Sequence, residues 1–388
     1  MSEFDEVIDR VHTGSVKWDA REQLFGSAEV LPMWVADMDF RAPTPVLEAL
    51  EQRVRHGVLG YHQVGDGYYE SIQAWWKQRH GVDIEREWLL YTPGVVPALA
   101  LAVNTYTEPG DRVIIQPPVY PPFTSVVEAS GRRIVHNPLV RSGGRYELDF
   151  TDLEHKLKQG VDMLILCNPH NPVGRAWTRD ELTRLATLCA TYDALVVSDE
   201  IHADLVFAPY RHTSFAHVAQ SAGCRFVLCA APSKTFNIAG LHSSYVIIPD
   251  TRTRRLFGRQ LTRFSLSSQN ALSCAAVEAS YRAGGAWLDA LLPYIARNLS
   301  LLRERLGALG LRADEVEGTY LAWIDSRDVC KDDEDLKRFW FTEAKVGVNI
   351  GSTFGPGGDG FVRLNAACPR SILEDALARI ESAVHARR

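Results

Sequence analysis

Three short segments carry side chains able to do chemistry together. APSKTFNIAGL, residues 231 to 241, places Lys234 just after the apolar run RFVLCA at 225 to 230. LCNPHNPVG, residues 166 to 174, holds Asn171 in a turn rich in asparagine and proline, and VVSDEIH, residues 196 to 202, closes on the acidic pair Asp199 and Glu200. Singly each is ordinary: a lone lysine is usually a solvated surface group, and the other two are common turn chemistry. Together they offer an amine, a carboxylate and an amide. An amine can form a Schiff base with a carbonyl, a carboxylate can keep a proton on a ring nitrogen, and an amide can donate to a phenolate oxygen.

Something must bring these groups together. From about residue 45 to 285, amphipathic helical stretches alternate with short apolar runs: WLLYT (88 to 92), RVIIQ (112 to 116), MLILC (163 to 167), ALVVSD (194 to 199), RFVLCA and YVIIP (245 to 249). Such interleaving predicts an α/β fold, a doubly wound and mostly parallel sheet covered on both faces. The three segments all end predicted strands, so this sheet would collect Asn171, Asp199 and Lys234 at its carboxyl edge, where open α/β sheets hold ligands. That set meets the demands of a pyridoxal 5′-phosphate (PLP) site, in which the ring serves as an electron sink. A helix is expected over Thr178 to Tyr192, since Thr178 and Glu181 form a capping-box pattern. After Arg282 one long helical pattern leads into strands at TYLAWIDS (319 to 326) and GFVRLNAA (360 to 367) and a closing helix. The organisation read from this is a large domain over 46–285 and a smaller α+β domain from 1–45 with 286–388, the ligand lying in the cleft between them.

The whole chain sets limits on partners. Its 388 residues exceed what one hydrophobic core usually serves. At 46% hydrophobic and 23% charged it reads as a folded globular protein, and its net charge of −6 gives no field to draw nucleic acid or anionic lipid. Seven scattered cysteines include no CxxC pair, which argues for buried reduced thiols over disulfides or structural zinc. The acidic start MSEFDEVIDR lacks a signal-peptide pattern, and no apolar run approaches the about 20 residues of a membrane span. A cytoplasmic enzyme without metal, membrane or nucleic-acid partner is expected.

In order along the chain, LPMWVADMDF (31 to 40), HGVLGYH (56 to 62), PPVYPPF (117 to 123), NPHNPVG, SDEIHADL (198 to 205), SKTFNIAGL, TYLAWID and FVRLNAACPR (361 to 370) resemble the fold-type I PLP enzymes, and most closely their cystathionine β-lyase and cysteine-S-conjugate β-lyase branch. The resemblance implies roles residue by residue. Lys234 is similar to the lysine that forms the Schiff base and later removes the Cα proton, Asp199 to the partner of the ring nitrogen, and Asn171 to the donor that meets the ring oxygen and can reach the substrate carboxylate. Tyr120 matches the aromatic residue stacked on the ring, and Arg363 the arginine that grips the substrate α-carboxylate with a bidentate fork. Gly94, Val95 and Val96 sit where a helix N-terminus can cradle the phosphate, with Ser233 beside the lysine as a further contact. Tyr61 resembles a tyrosine that reaches the phosphate from the neighbouring subunit, which implies a homodimer with shared active sites. The chain departs from related patterns at Ala231, where many relatives have a hydroxyl, and at His242, where aminotransferases have a cation. His242 either replaces part of that contact or is a histidine satisfied within the core.

The fate of the carbanion left by loss of the Cα proton decides the reaction. A thiolate on Cβ can be expelled, giving thiol, pyruvate and ammonia; otherwise the proton returns at the cofactor and the enzyme transaminates. His202 stands where class I aminotransferases usually have tyrosine, and with DMDF it tilts the reading to β-elimination at a C–S bond. An aminotransferase and a specialised biosynthetic enzyme on a cysteine S-conjugate, with a decarboxylating or oxidative outcome, remain as alternatives. A non-enzymatic regulator module would need a DNA-binding extension, and the roughly 45 residues before the large domain contain no basic helix.

Overall fold

A computed structural model of the chain describes residues 2–388. Its centre is a seven-stranded sheet built from β1 (Leu89–Thr92), β2 (Arg112–Ile115), β3 (Arg133–His136), β4 (Met163–Cys167), β5 (Leu195–Asp199), β6 (Phe226–Ala230) and β7 (Ser244–Ile247). The spatial order is β1-β7-β6-β5-β4-β2-β3. Pairings from β3 through β6 are parallel, whereas β7 runs antiparallel to both β1 and β6. All six apolar runs of the sequence are strands. β3 is the additional one, and its sequence RIVH is half-exposed and polar at both ends, so it lacks the continuous apolar run that marks a buried strand.

Both faces of this sheet are covered, as alternation along the strands shows. In β4, Leu164 and Leu166 join one apolar cluster, while Met163, Ile165 and Cys167 join a second on the opposite face. Each fully buried aliphatic side chain of this kind contributes about 1.5–3 kcal/mol relative to exposure. The helix Val95–Tyr106 fills the second face with Ala98, Leu99 and Ala102. The helix Arg179–Thr191 begins as its sequence predicts: the Thr178 hydroxyl accepts from the Glu181 N–H at 3.2 Å, and the Glu181 carboxylate accepts from the Thr178 N–H at 2.8 Å.

The long helical pattern after Arg282 is one helix, set off by a glycine from the helix before it. One helix ends at Ala283 and the next spans Gly285–Gly307. Gly284 is the joint, and a Cβ there would lie 2.5 Å from Phe236 Cε1, so only glycine fits. Beyond it lies an antiparallel four-stranded sheet of β8 (Arg312–Ala313), β9 (Leu321–Asp325), β10 (Asn349–Ile350) and β11 (Phe361–Asn365), ordered β8-β9-β11-β10. The N-terminal segment packs with this part, since Leu31–Pro32 pairs with Val346–Gly347. All seven cysteines are free and buried. Among the described residues, no helix is long and apolar enough to cross a membrane, and no cluster of three or more histidine, cysteine or acidic residues could hold a metal ion.

Candidate active site

The ends of β4, β5 and β6 lie side by side, with Asp199 in register with Cys167 on one neighbour and Cys229 on the other. Above this edge a cavity of about 400 Å³ is lined by Gly94, Val95, Val96, Tyr120, Asn171, Asp199, His202, Ser233, Lys234 and His242, with Ala36, Ile201 and Ser243 among the residues completing it. Ten of the twelve residues singled out from the sequence therefore share one wall. A larger cavity, about 580 Å³, opens elsewhere against Arg79, His80, Asp204 and His212 and contains none of them. The chemistry assigns the site to the smaller one.

Arg363, from β11, enters the site through Asn171. Its Nη1 donates to Asn171 Oδ1 at 2.9 Å, and its Nη2 donates to Asn349 Oδ1 at 2.7 Å and to the Trp34 carbonyl at 3.1 Å. The guanidinium lies over the Phe354 ring at 5.0 Å. Every one of these partners is neutral, and Nε is buried with none at all. Burial pulls the group down to about 10, which still leaves it charged at neutral pH. A buried cation surrounded only by neutral acceptors is poised for an anion. Because Asn171 turns its oxygen to Arg363, the NH₂ end of the amide remains for a ligand.

Lys234 is enclosed by protein and open to the cavity. Its Nζ donates to the Ala36 carbonyl at 2.5 Å. Burial lowers this amine to about 8, more than the nearby Asp37 and Asp199 carboxylates restore. Asp199 is buried, accepts one hydrogen bond from the Ile201 N–H at 3.1 Å, and is raised by burial to about 7. A carboxylate so poorly solvated gains from a cationic ring N–H placed against it. His202 is buried and pulled down to about 3, first by burial and then by Lys234 and Arg363, so its ring is neutral. Burial raises Tyr120, keeping its hydroxyl protonated.

One loop, residues 33–40, ties these groups to each other. Asn237, three residues beyond Lys234, accepts from the Met38 N–H at 2.9 Å and donates to the Met38 and Phe40 carbonyls at 2.9 and 2.8 Å. Asn365, two residues beyond Arg363, donates to the Val35 and Asp37 carbonyls, both at 2.6 Å. Tyr320 donates to the same Ala36 carbonyl as Lys234, at 2.9 Å. Asn349, Tyr320, Asn237 and Asn365 were not singled out from the sequence. The last three stand inside segments that were, but contacts to backbone carbonyls leave no signature in residue type.

Gly94 takes φ +151°, and a Cβ there would come within 3.2 Å of the Pro97 ring. It caps the helix Val95–Tyr106, whose first-turn N–H groups have no intrahelical partners and open on the cavity. His242 is exposed at this end in a left-handed conformation, φ +49°, which rules out the alternative of a core histidine. Tyr61 is fully exposed, at 108%, and does not line its own chain's cavity. Aldehyde, ring nitrogen, ring oxygen and phosphate of PLP would each meet a suitable group: Lys234, Asp199, Asn171 and the Gly94 turn.

This architecture, a doubly wound sheet with a lysine at its carboxyl edge and a smaller α+β part supplying an arginine, is that of the fold-type I PLP-dependent transferases. Residues 29–380 match the model of the family Aminotransferase class I and II, and the chain belongs to that family. It is 45% identical to the cystathionine β-lyase PatB of Bacillus subtilis, over 98% of this chain and 99% of that protein. The crystal structure of cystalysin from Treponema denticola, which contains a pyridoxal 5′-phosphate cofactor, superposes with a TM-score of 0.96 at 35% identity and covers both chains fully. A PLP-bound C–S lyase from Staphylococcus hominis superposes at 0.91, with 32% identity over 99% of this chain and 98% of that one.

Proposed function

We propose that the chain is a PLP-dependent carbon–sulfur lyase that acts on cysteine S-conjugates or cystathionine, with water converting the eliminated fragment to pyruvate and ammonia as the thiol leaves. The observation that carries this reading is the convergence of Lys234, Asp199 and Asn171 on one cavity with Arg363 bound to Asn171, the three charged groups having no ion-pair partner among the described residues. Relatives named for C–S cleavage, alike over nearly the whole chain, support this choice of reaction, as do DMDF and His202 in the sequence. The large domain, 46–285, holds the cofactor, and the small domain, 1–45 with 286–388, brings the arginine.

When bound, PLP supplies an electron sink that makes the Cα–H bond of an attached amino acid acidic. The rest falls to the protein. Arg363 binds the α-carboxylate, and Asn171 fixes the guanidinium so that the amino acid enters in one orientation. The Ala36 carbonyl holds the Lys234 amine whenever it is free. An amine near 8 is neutral often enough at physiological pH to take the Cα proton at Nζ. Asp199 would keep a proton on the ring nitrogen, and Tyr120 would offer its ring for stacking. His202, neutral through burial, would add no competing charge to the wall it lines.

The protein is a homodimer working in the cytoplasm, with no nucleic-acid or membrane partner. Tyr61 is exposed and does not line its own chain's cavity, in a run where Val54, Val58 and Leu59 are also exposed. An apolar stretch of this kind is suited to a second copy, and Tyr61 then reaches the partner's phosphate. The free buried cysteines fit a reducing compartment.

The reaction is tested by incubating the yellow holoenzyme with cystathionine, cystine and S-alkyl cysteines while measuring thiol and pyruvate together. Equal amounts without added keto acid are expected. Turnover that needs a keto acid acceptor and yields no thiol would establish a transaminase instead.

A further inference from the structure

Ser243 immediately precedes β7, the one strand of the large sheet that runs against its neighbours. That reversal brings the start of β7, rather than its end, to the edge where the other strands finish. Ser244 is opposite Thr92 and Tyr245 is opposite Ala230. Continuing the register sets Ser243 beside Pro93 and the Gly94 turn on one side, and beside Pro232 and Ser233 on the other.

The two adjacent serines have different fates. Ser244 is engaged, with its Oγ 2.6 Å from Thr92 Oγ1 and donating to the Thr92 carbonyl at 3.1 Å. Ser243 projects to the other face, as successive strand residues do. It is 5% exposed, lines the cavity, and its Oγ is buried with no hydrogen-bond partner. A hydroxyl stranded in this way costs about 1–3 kcal/mol unless a ligand satisfies it. Within the same cavity lie the open N–H groups of Val95 and Val96, Ser233, and His242 at the rim. This end of the cavity is rich in donors and has no carboxylate, whereas Asp199 marks the ring-nitrogen end.

We infer that the Ser243 hydroxyl is a phosphate ligand, supplying from the antiparallel strand the contact that Ala231 cannot make from the segment before the lysine. The inference rests on the reading of this cavity as a PLP site. A hydroxyl donating to a phosphate dianion makes a charge-assisted bond, and the ligand class recognised is a phosphate monoester on an aromatic aldehyde.

The test compares apoprotein binding of pyridoxal 5′-phosphate with that of pyridoxal, which has the aldehyde and ring but no phosphate. Ser243→Ala is expected to weaken the phosphorylated form roughly ten- to a hundred-fold and to leave pyridoxal binding unchanged. The ³¹P resonance of the bound cofactor should shift. Ser243→Thr, which keeps the hydroxyl, should stay close to wild type, and Ser243→Cys, nearly isosteric with a weak donor, should repeat the alanine result if alanine disturbs the fold. Equal affinities for PLP in wild type and Ser243→Ala, or equal losses for both ligands, would overturn the assignment while leaving the PLP reading intact. A wild-type apoprotein that binds neither ligand would overturn both.

Discussion

Lys234, Asp199 and Arg363 share one condition: each is enclosed by protein, and among the described residues none forms a salt bridge. Such groups are costly for a folded protein, and they concentrate where a ligand completes them. The lowered amine has a consequence that can be timed. Only neutral lysine attacks an aldehyde, so capture of PLP by the apoprotein should track the deprotonated fraction of Lys234. Its value is shifted down by burial to about 8, so capture rises with pH through 8 and levels off above it. About one lysine in ten is then neutral at pH 7, against roughly one in a few thousand for an ordinary side chain. Stopped-flow absorbance across pH 6 to 10 reads this directly. A rate still climbing ten-fold per pH unit at pH 9.5 would show that the enclosure does not perturb the amine.

At the scale of elements, the loop 33–40 decides whether those side chains are aimed. Asn237 pins it with three hydrogen bonds while itself sitting at φ +55°, a conformation asparagine tolerates better than most residues. Asn237→Ala removes all three and leaves the backbone strain, so a destabilisation of about 1–3 kcal/mol is expected. Thermal melts should show the lower stability, and kcat should fall because Ala36 no longer places the free Lys234 amine. A variant melting as wild type with unchanged kcat would mean the loop's other contacts, among them those of Asn365, Tyr320, Arg10 and Lys17, hold it without Asn237. The sequence disclosed this element as a motif, LPMWVADMDF, without disclosing its work. Long apolar runs made six of the seven strands of the large sheet legible, because burial on both faces demands them. Their place at the ends of predicted strands brought out Lys234, Asp199 and Asn171, whereas Arg363 was legible only through the resemblance of FVRLN to the PLP enzymes. The direction of β7 was not legible, since an apolar run reads the same both ways, and with it went the position of Ser243. Carbonyl contacts such as Trp34 to Arg363 and Ala36 to Lys234 depend on the fold and on no particular side chain.

For the whole molecule, the proposed dimer turns on Tyr61, which is fully exposed and does not line the active-site cavity of its own chain. The proposal that a second copy covers it draws on its neighbours: Val54, Val58 and Leu59 are each more than half exposed, and an exposed apolar cluster suits an interface. In a twofold dimer the same patch serves both subunits, so each site combines one chain's Lys234 with the other's Tyr61. Tyr61→Ala and Lys234→Ala should then each be inactive or nearly so alone and restore one another when mixed under conditions of subunit exchange. A hybrid dimer has one site with both residues intact and one with neither. If exchange is random and the proteins are mixed equally, half the dimers are hybrids, and about a quarter of wild-type activity returns. Activity should appear with the time course of exchange, followed by native mass spectrometry of one isotope-labelled partner. Hybrids that form without recovery would place Tyr61 outside the composite site, and a fully active monomer would remove the need for one, since a single chain would then be closing its own phosphate pocket with Ser233, Ser243, His242 and the Gly94 turn alone.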